Sequence, residues 1–129
     1  MSKLEFVENE FKYWEFIRCL RNDERVKSGF IQQEHIKSDP HLTFMHKYGI
    51  NHYICLCDSN PAGYIGVIDR DIRIATHPDF QGKGVGTFLV NQLMERHPDS
   101  LAKVKISNEA SLGLFEKCGF KRKYIILER

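Results

Sequence analysis

A chain of 129 residues suits one domain, 1–129, built round one core. Hydrophobic residues make up 42% and charged residues 28%, an ordinary balance for a soluble globular protein. A formal charge of +2 indicates neither nucleic acid nor a membrane surface as partner, and with no apolar run of spanning length and no signal pattern in Met1-Ser2-Lys3-Leu4-Glu5, a cytoplasmic protein is expected.

The chain opens with alternation over Lys3 to Glu8, which predicts a first strand. Tyr13, Trp14, Phe16, Ile17 and Leu20 then fall at helical spacing, so Phe11 to Leu20 reads as a helix with its aromatics in the core. Arg21-Asn22-Asp23-Glu24 ends that helix and Gly29 breaks the chain again. Gln32 to Tyr48 carries Ile36, Leu42, Phe44 and Met45 around an interrupting Pro40, which predicts one or two short helices.

Asn51 to Cys57 is nearly all apolar, as in a strand covered on both faces. Asp58-Ser59-Asn60-Pro61 is a turn, and Ala62 to Ile68 the next strand, with Gly66 expected where another backbone comes close. Asp69-Arg70-Asp71 reverses the chain into a strand over Ile72 to Thr76, giving an antiparallel meander.

Pro78 stops that strand because proline donates no ladder hydrogen bond. Gln81-Gly82-Lys83-Gly84-Val85-Gly86 follows, then a helix with Phe88, Leu89, Leu93 and Met94 on one face. Glycines open backbone conformations closed to other residues and admit a ligand close to the main chain. The first N–H groups of the next helix lack internal partners and carry its positive dipole end. Together these form a cradle for a pyrophosphate, with Lys83 adding charge at the rim.

His97-Pro98-Asp99 halts the helix. A short alternating strand is expected over Lys103 to Ile106, a helix capped by Asn108 and running through Cys118 to a Gly119 cap, and a last strand over Phe120 to Leu127. The cysteines at 19, 55, 57 and 118 lack zinc spacing and read as buried reduced thiols; the six histidines follow no ligand motif, so no metal is expected.

Three phosphate loops compete for the glycine signal. The nucleotide-hydrolase loop needs four residues between its first Gly and a Gly-Lys-Ser/Thr, whereas Gly82 and Gly86 have three between them and no such ending. The dinucleotide fingerprint needs its third glycine at Thr87. The third pattern, Gln/Arg-x-x-Gly-x-Gly/Ala, fits residues 81–86 throughout and resembles the acetyl-CoA signature of the GNAT superfamily of N-acetyltransferases. The phrase His77-Pro78-Asp79-Phe80 before it, and Asn108 to Phe120 after it, resemble that superfamily's two characteristic phrases, together covering residues 72–127.

The resemblance implies an α/β fold of GNAT type, a mixed and mostly antiparallel sheet flanked by helices in the order β-α-α-β-β-β-α-β-α-β, with the pantetheine arm of the cofactor entering between Ile72 to Thr76 and a parallel neighbour at Lys103 to Ile106. It assigns acetyl-CoA as co-substrate, main-chain groups of Ile74, Ala75 and Thr76 to the arm, those of Gly82, Lys83, Gly84, Val85, Gly86 and Thr87 to the pyrophosphate, the Asn108 side chain to the arm, and Gln81 to the cofactor site. The catalytic residues stay unassigned. Where many members place a proton-donating Tyr, this chain has Phe115; Tyr64 and Tyr124 are the substitutes considered, and Asp69 and Asp71 the candidates for a water-mediated base. Peptide-acetylating relatives carry a carboxylate where this chain has Lys103. Arg21-Asn22-Asp23 with His35 and His41 resembles the branch that acetylates nucleotide-linked amino sugars. The expected acceptor is therefore the primary amine of a small molecule, with protein N-terminal or lysine acetylation, or a silent CoA-binding module, as alternatives. A monomer or a homodimer paired through the last strand is expected.

Overall fold

The computed structural model describes residues 2–129. The elements in order are β1 (Leu4–Glu8), α1 (Phe11–Asn22), α2 (Glu24–Lys27), α3 (Ser38–Tyr48), β2 (His52–Cys57), β3 (Asn60–Ile68), β4 (Asp71–Thr76), α4 (Val85–Arg96) and α5 (Glu109–Lys117). The four strands form one sheet in the order β1-β2-β3-β4, every neighbour antiparallel. The expected α/β class with a mostly antiparallel sheet and flanking helices is the one observed.

Both hairpins close on two residues of positive φ, Asp58 and Ser59 (49° and 70°) and Asp69 and Arg70 (50° and 71°). Turns of that hand match the twist of the strands they join. Because successive strand residues face opposite ways, each strand feeds two cores. Cys55, Ile65 and Ile72 pack with Leu89, Val90, Leu93 and Phe115 on one side. Ile54, Tyr64 and Ala75 pack with Ile17, Leu20 and Met45 on the other. Leu89 and Leu93 are 0% exposed, and truncating either to Ala would cost about 2–5 kcal/mol.

Pro40 does not interrupt α3. It sits in the helix's first turn, where its missing N–H has no carbonyl to serve. Gly66 yields not to a backbone but to a ring: a Cβ there would overlap the His52 imidazole. The close backbone approach is at Gly63, where a Cβ would lie 2.8 Å from the Ala75 carbonyl oxygen. Cys55 and Cys57 are buried, but Cys19 is exposed, against the expectation for that thiol. Among the described residues no group of His, Cys, Asp and Glu is placed to hold a metal ion, and no helix is long and apolar enough to cross a membrane.

Two expected strands do not form. After α4 the chain meets β4 at one parallel bridge, Asp71 with Leu101, with Ile72 N–H donating to Leu101 O at 2.9 Å and Leu101 N–H to Arg70 O at 2.7 Å. It then diverges, so Lys103 to Ile106 has the alternation of a strand without a ladder. Phe120 to Leu127 is also outside any strand, and Tyr124, Ile125, Ile126 and Leu127 are 74–91% exposed. β4 is consequently an edge strand over most of its length.

Candidate active site

The divergence after Leu101 opens a cleft of about 780 Å³. One wall is β4, the other is Lys103, Val104, Lys105 and the start of α5, and the glycine turn closes one end. Ser28 to Gln32 runs along the rim and is tied to the far wall: Asn108 Nδ2 donates to Gly29 O at 3.0 Å, and Lys105 Nζ to Ser28 O at 3.4 Å.

The direction of the β4 amides follows from two hydrogen bonds. Ile72 N–H points outward, to Leu101, while His77 N–H points inward, to Ala62 O at 2.8 Å. Strand amides alternate. Ile74 and Thr76 therefore turn their N–H and C=O groups into the cleft, and Ala75 turns its own toward β3. Of the three residues the sequence marked on this strand, two present pairing groups to the cleft and Ala75 supplies its wall.

The turn continues this line of donors. His77 Nδ1 accepts from Asp79 N–H at 3.1 Å and Gln81 N–H donates to Pro78 O, shaping a tight bend before the glycines. Gly82 and Gly84 have φ of 79° and 78°, a region L side chains rarely adopt, and open space surrounds both. Among the described residues, the N–H groups of Gly82, Lys83 and Gly84 donate to no protein acceptor. Gly84 caps α4, whose first turn holds no acidic residue, so the N–H groups of Val85, Gly86 and Thr87 also face an unopposed positive dipole end. Gly86 has a further reason to be small: a Cβ there would lie 3.1 Å from Leu114, where α4 and α5 cross.

All the sequence-marked binding residues line this cleft except Lys83, which is exposed outside it. Asn108 has both ends of its amide engaged, since its Oδ1 also accepts from Ser111 N–H at 3.1 Å as the cap of α5. Phe115 is buried on the cleft wall and packs edge-on against Phe120.

The two tyrosines separate cleanly. Tyr124 is 91% exposed and outside the cleft, whereas Tyr64 lines it at 2% exposure, stacked on His52. Burial pushes the Tyr64 phenol above its ordinary pKa, with Arg21 and Arg73 pulling against the rise, so it carries its proton at neutral pH. The aspartates separate as well. Asp69 is an exposed turn residue; Asp71 lines the cleft, with Oδ2 3.5 Å from Arg73 Nε and Oδ1 buried without a partner.

Of Arg21, Asn22, Asp23, His35 and His41, only Arg21 lines the cleft. Asn22 pairs with both backbone groups of Ile36, and Asp23 caps α2 and pairs with Arg25. His41 is buried against Trp14 O, and His35 is exposed. Sequence reasoning did not single out Arg73 or Phe30. Arg73 carried a signal, a lone charge between Ile72 and Ile74 on a strand whose other face is core.

Residues 10–120 match the family model described as Acetyltransferase (GNAT) family. No curated protein matches the chain in sequence. Solved structures do match in fold. A domain from Methanocaldococcus jannaschii superposes with TM-score 0.82 at 22% identity, over 95% of this chain and 91% of that one. Spermidine N-acetyltransferase from Vibrio cholerae, solved with CoA and spermine, gives 0.78 at 21%, over 98% and 85%. A Salmonella typhimurium protein solved with its cofactor acetyl-CoA gives 0.74 at 17%, over 92% and 79%.

Proposed function

The chain belongs to the GNAT acetyltransferase family, and on that premise we propose that it moves an acetyl group from acetyl-CoA to the primary amine of a small molecule, amino sugars and their nucleotide-linked forms included. One observation carries the reading: the outward amides of Ile74 and Thr76 lead into the unpaired amides of residues 82–84 and the start of α4. An elongated ligand with peptide-like groups at one end and a diphosphate at the other matches that line of donors.

When bound, acetyl-CoA supplies an acyl group activated as a thioester. The residues of this chain do the rest. Ile74 and Thr76 would hold the pantetheine amides, and a cleft-facing N–H of the same strand would polarise the thioester carbonyl. The 82–87 amides would hold the pyrophosphate. Val104, Leu114 and Phe115 would exclude water from the arm. Phe115 has no proton to give, so Tyr64, protonated and at the cleft, would protonate the departing sulfur. Asp71 would take the amine's proton through water, because its strand position is three residues before Ile74, about 10 Å along β4.

The reading is tested by calorimetry with acetyl-CoA, followed by thiol release on a panel of small amines and short peptides. Binding with turnover on small amines supports it. Turnover on peptides alone would move the acceptor to protein, and tight CoA binding without turnover on any amine would make the chain a binding module.

A further inference from the structure

Beyond the glycine turn, the cleft has a second end with its own charge. Arg21, at the close of α1, reaches it from one side and Arg73, on β4, from the other. Both guanidinium charges act on the same two groups, the Tyr64 phenol and the His52 ring. Geometry brings them to one place: Arg21 lies over the Phe44 ring, Phe44 packs edge-on against His52 at 5.9 Å between centroids, and His52 shares its register through Gly66 with Arg73. Arg73 is half answered by Asp71. Arg21 has no carboxylate partner among the described residues; it lies only over the Phe44 ring, 6.0 Å from its centroid. Across the cleft, Lys103 and Lys105 also lack ion-pair partners among the described residues. Among the described residues Asp71 is the sole carboxylate in the lining.

This charge is not placed for the cofactor's diphosphate. Arg73 sits at the register of Gly66 and His52, whereas the strand leaves for the glycine turn beyond Thr76, three residues on and about 10 Å away. A half-buried, unpaired guanidinium in a cleft is a ready partner for an oxyanion, because the planar fork matches carboxylate and phosphate geometry. The same positive end repels a polyamine.

We propose that the acceptor carries an anionic group, a carboxylate or a phosphate, beside its reactive amine, and that Arg21 with Arg73 binds that group while Asp71 faces the amine. The inference rests on the acetyltransferase reading and narrows its substrate class. It also separates this chain from the V. cholerae structural neighbour, which was solved with the polycation spermine.

The test compares matched acceptors: glucosamine 6-phosphate against glucosamine for the phosphate, 4-aminobutyrate against its amide for the carboxylate, and spermidine as the cation. At least one anionic member should exceed its uncharged partner by tenfold or more in kcat/KM, and spermidine should be the poorest. The better pair identifies the source of the charge. Arg21→Gln should erase the margin while leaving the calorimetric affinity for acetyl-CoA within twofold, and Arg21→Glu should improve spermidine. In the unaltered protein, inorganic sulfate should compete with the anionic acceptor at saturating acetyl-CoA, where the glycine turn is already filled, a test that needs no variant to fold. Equal rates within both pairs, preference for spermidine, or sulfate inhibition that tracks acetyl-CoA alone would overturn the proposal. Absence of any acetyl-CoA heat in the unaltered protein would instead overturn the acetyltransferase reading beneath it.

Discussion

Asn108 spans the cleft to Gly29: its Nδ2 donates to the Gly29 carbonyl while its Oδ1 holds the Ser111 N–H. One side chain thus caps α5 and fastens the rim segment. Asn108→Ala removes both bonds and is expected to lower stability by about 2 kcal/mol, roughly one for the cap and one for the cross-cleft bond. Asn108→Asp keeps the cap acceptor and should lose only about half of that. Urea denaturation of both variants measures the difference: equal losses would show that the cap bond contributes nothing, and an unchanged Asn108→Asp that the cross-cleft bond contributes nothing.

Gly84 needs its φ of 78°, not its lack of bulk, because a Cβ there meets nothing within 4 Å. Gly84→Ala should therefore cost about 1–2 kcal/mol in backbone strain without a clash. Gly84→Glu adds an anion in front of the α4 amides and should abolish acetyl-CoA binding while circular dichroism stays native. Retained affinity in the Glu variant, read by calorimetry, would falsify the loop assignment.

Tyr64→Phe removes the hydroxyl and keeps the ring that stacks on His52. If the phenol protonates the leaving sulfur, kcat should fall by about a hundredfold with KM for acetyl-CoA unchanged. Steady-state thiol release decides it; a kcat within twofold of the unaltered protein returns the role to water.

His52 makes stability sensitive to acid. Its Nδ1–H donates to Tyr48 O at 2.9 Å, and burial, reinforced by Arg21, Arg73 and His41, lowers its pKa to about 4. A folded-state pKa below the unfolded value means that the unfolded chain binds the proton first, so stability is present at neutral pH and drains as pH falls from about 6.5 toward 4. The loss from this residue between pH 7 and pH 5 is about 2 kcal/mol. His41, whose pKa burial also lowers, adds to it in the same direction. Denaturant midpoints at the two pH values should differ more for the unaltered protein than for His52→Gln.

The sequence made legible whatever depends on near neighbours. The 3.6-residue spacing of Tyr13 to Leu20 located α1, and Asp58 and Asp69 marked two hairpins whose turns need positive φ. The glycine spacing located the turn that closes the cleft. What stayed hidden depends on distant partners. Lys103 to Ile106 alternates like a strand, but pairing is decided by whether β4 lies within reach, and after Leu101 it does not. Gly66 was legible as small without revealing that a histidine one strand away fills the space. Arg21 stood out in sequence beside Asn22 and Asp23, yet only packing shows that those two serve the backbone while the arginine faces the cleft.

The bare outer edge of β4 has a thermodynamic corollary. A pantetheine arm lying along Ile74 and Thr76 would act as a fifth, non-peptide member of the sheet, so loading and folding draw on one free energy. Melting temperature should climb with donor concentration, by the equivalent of about 2.7 kcal/mol at a hundredfold excess over Kd. A nucleotide fragment that lacks the arm should give only part of that gain, because it reaches the glycines and leaves the edge unzipped.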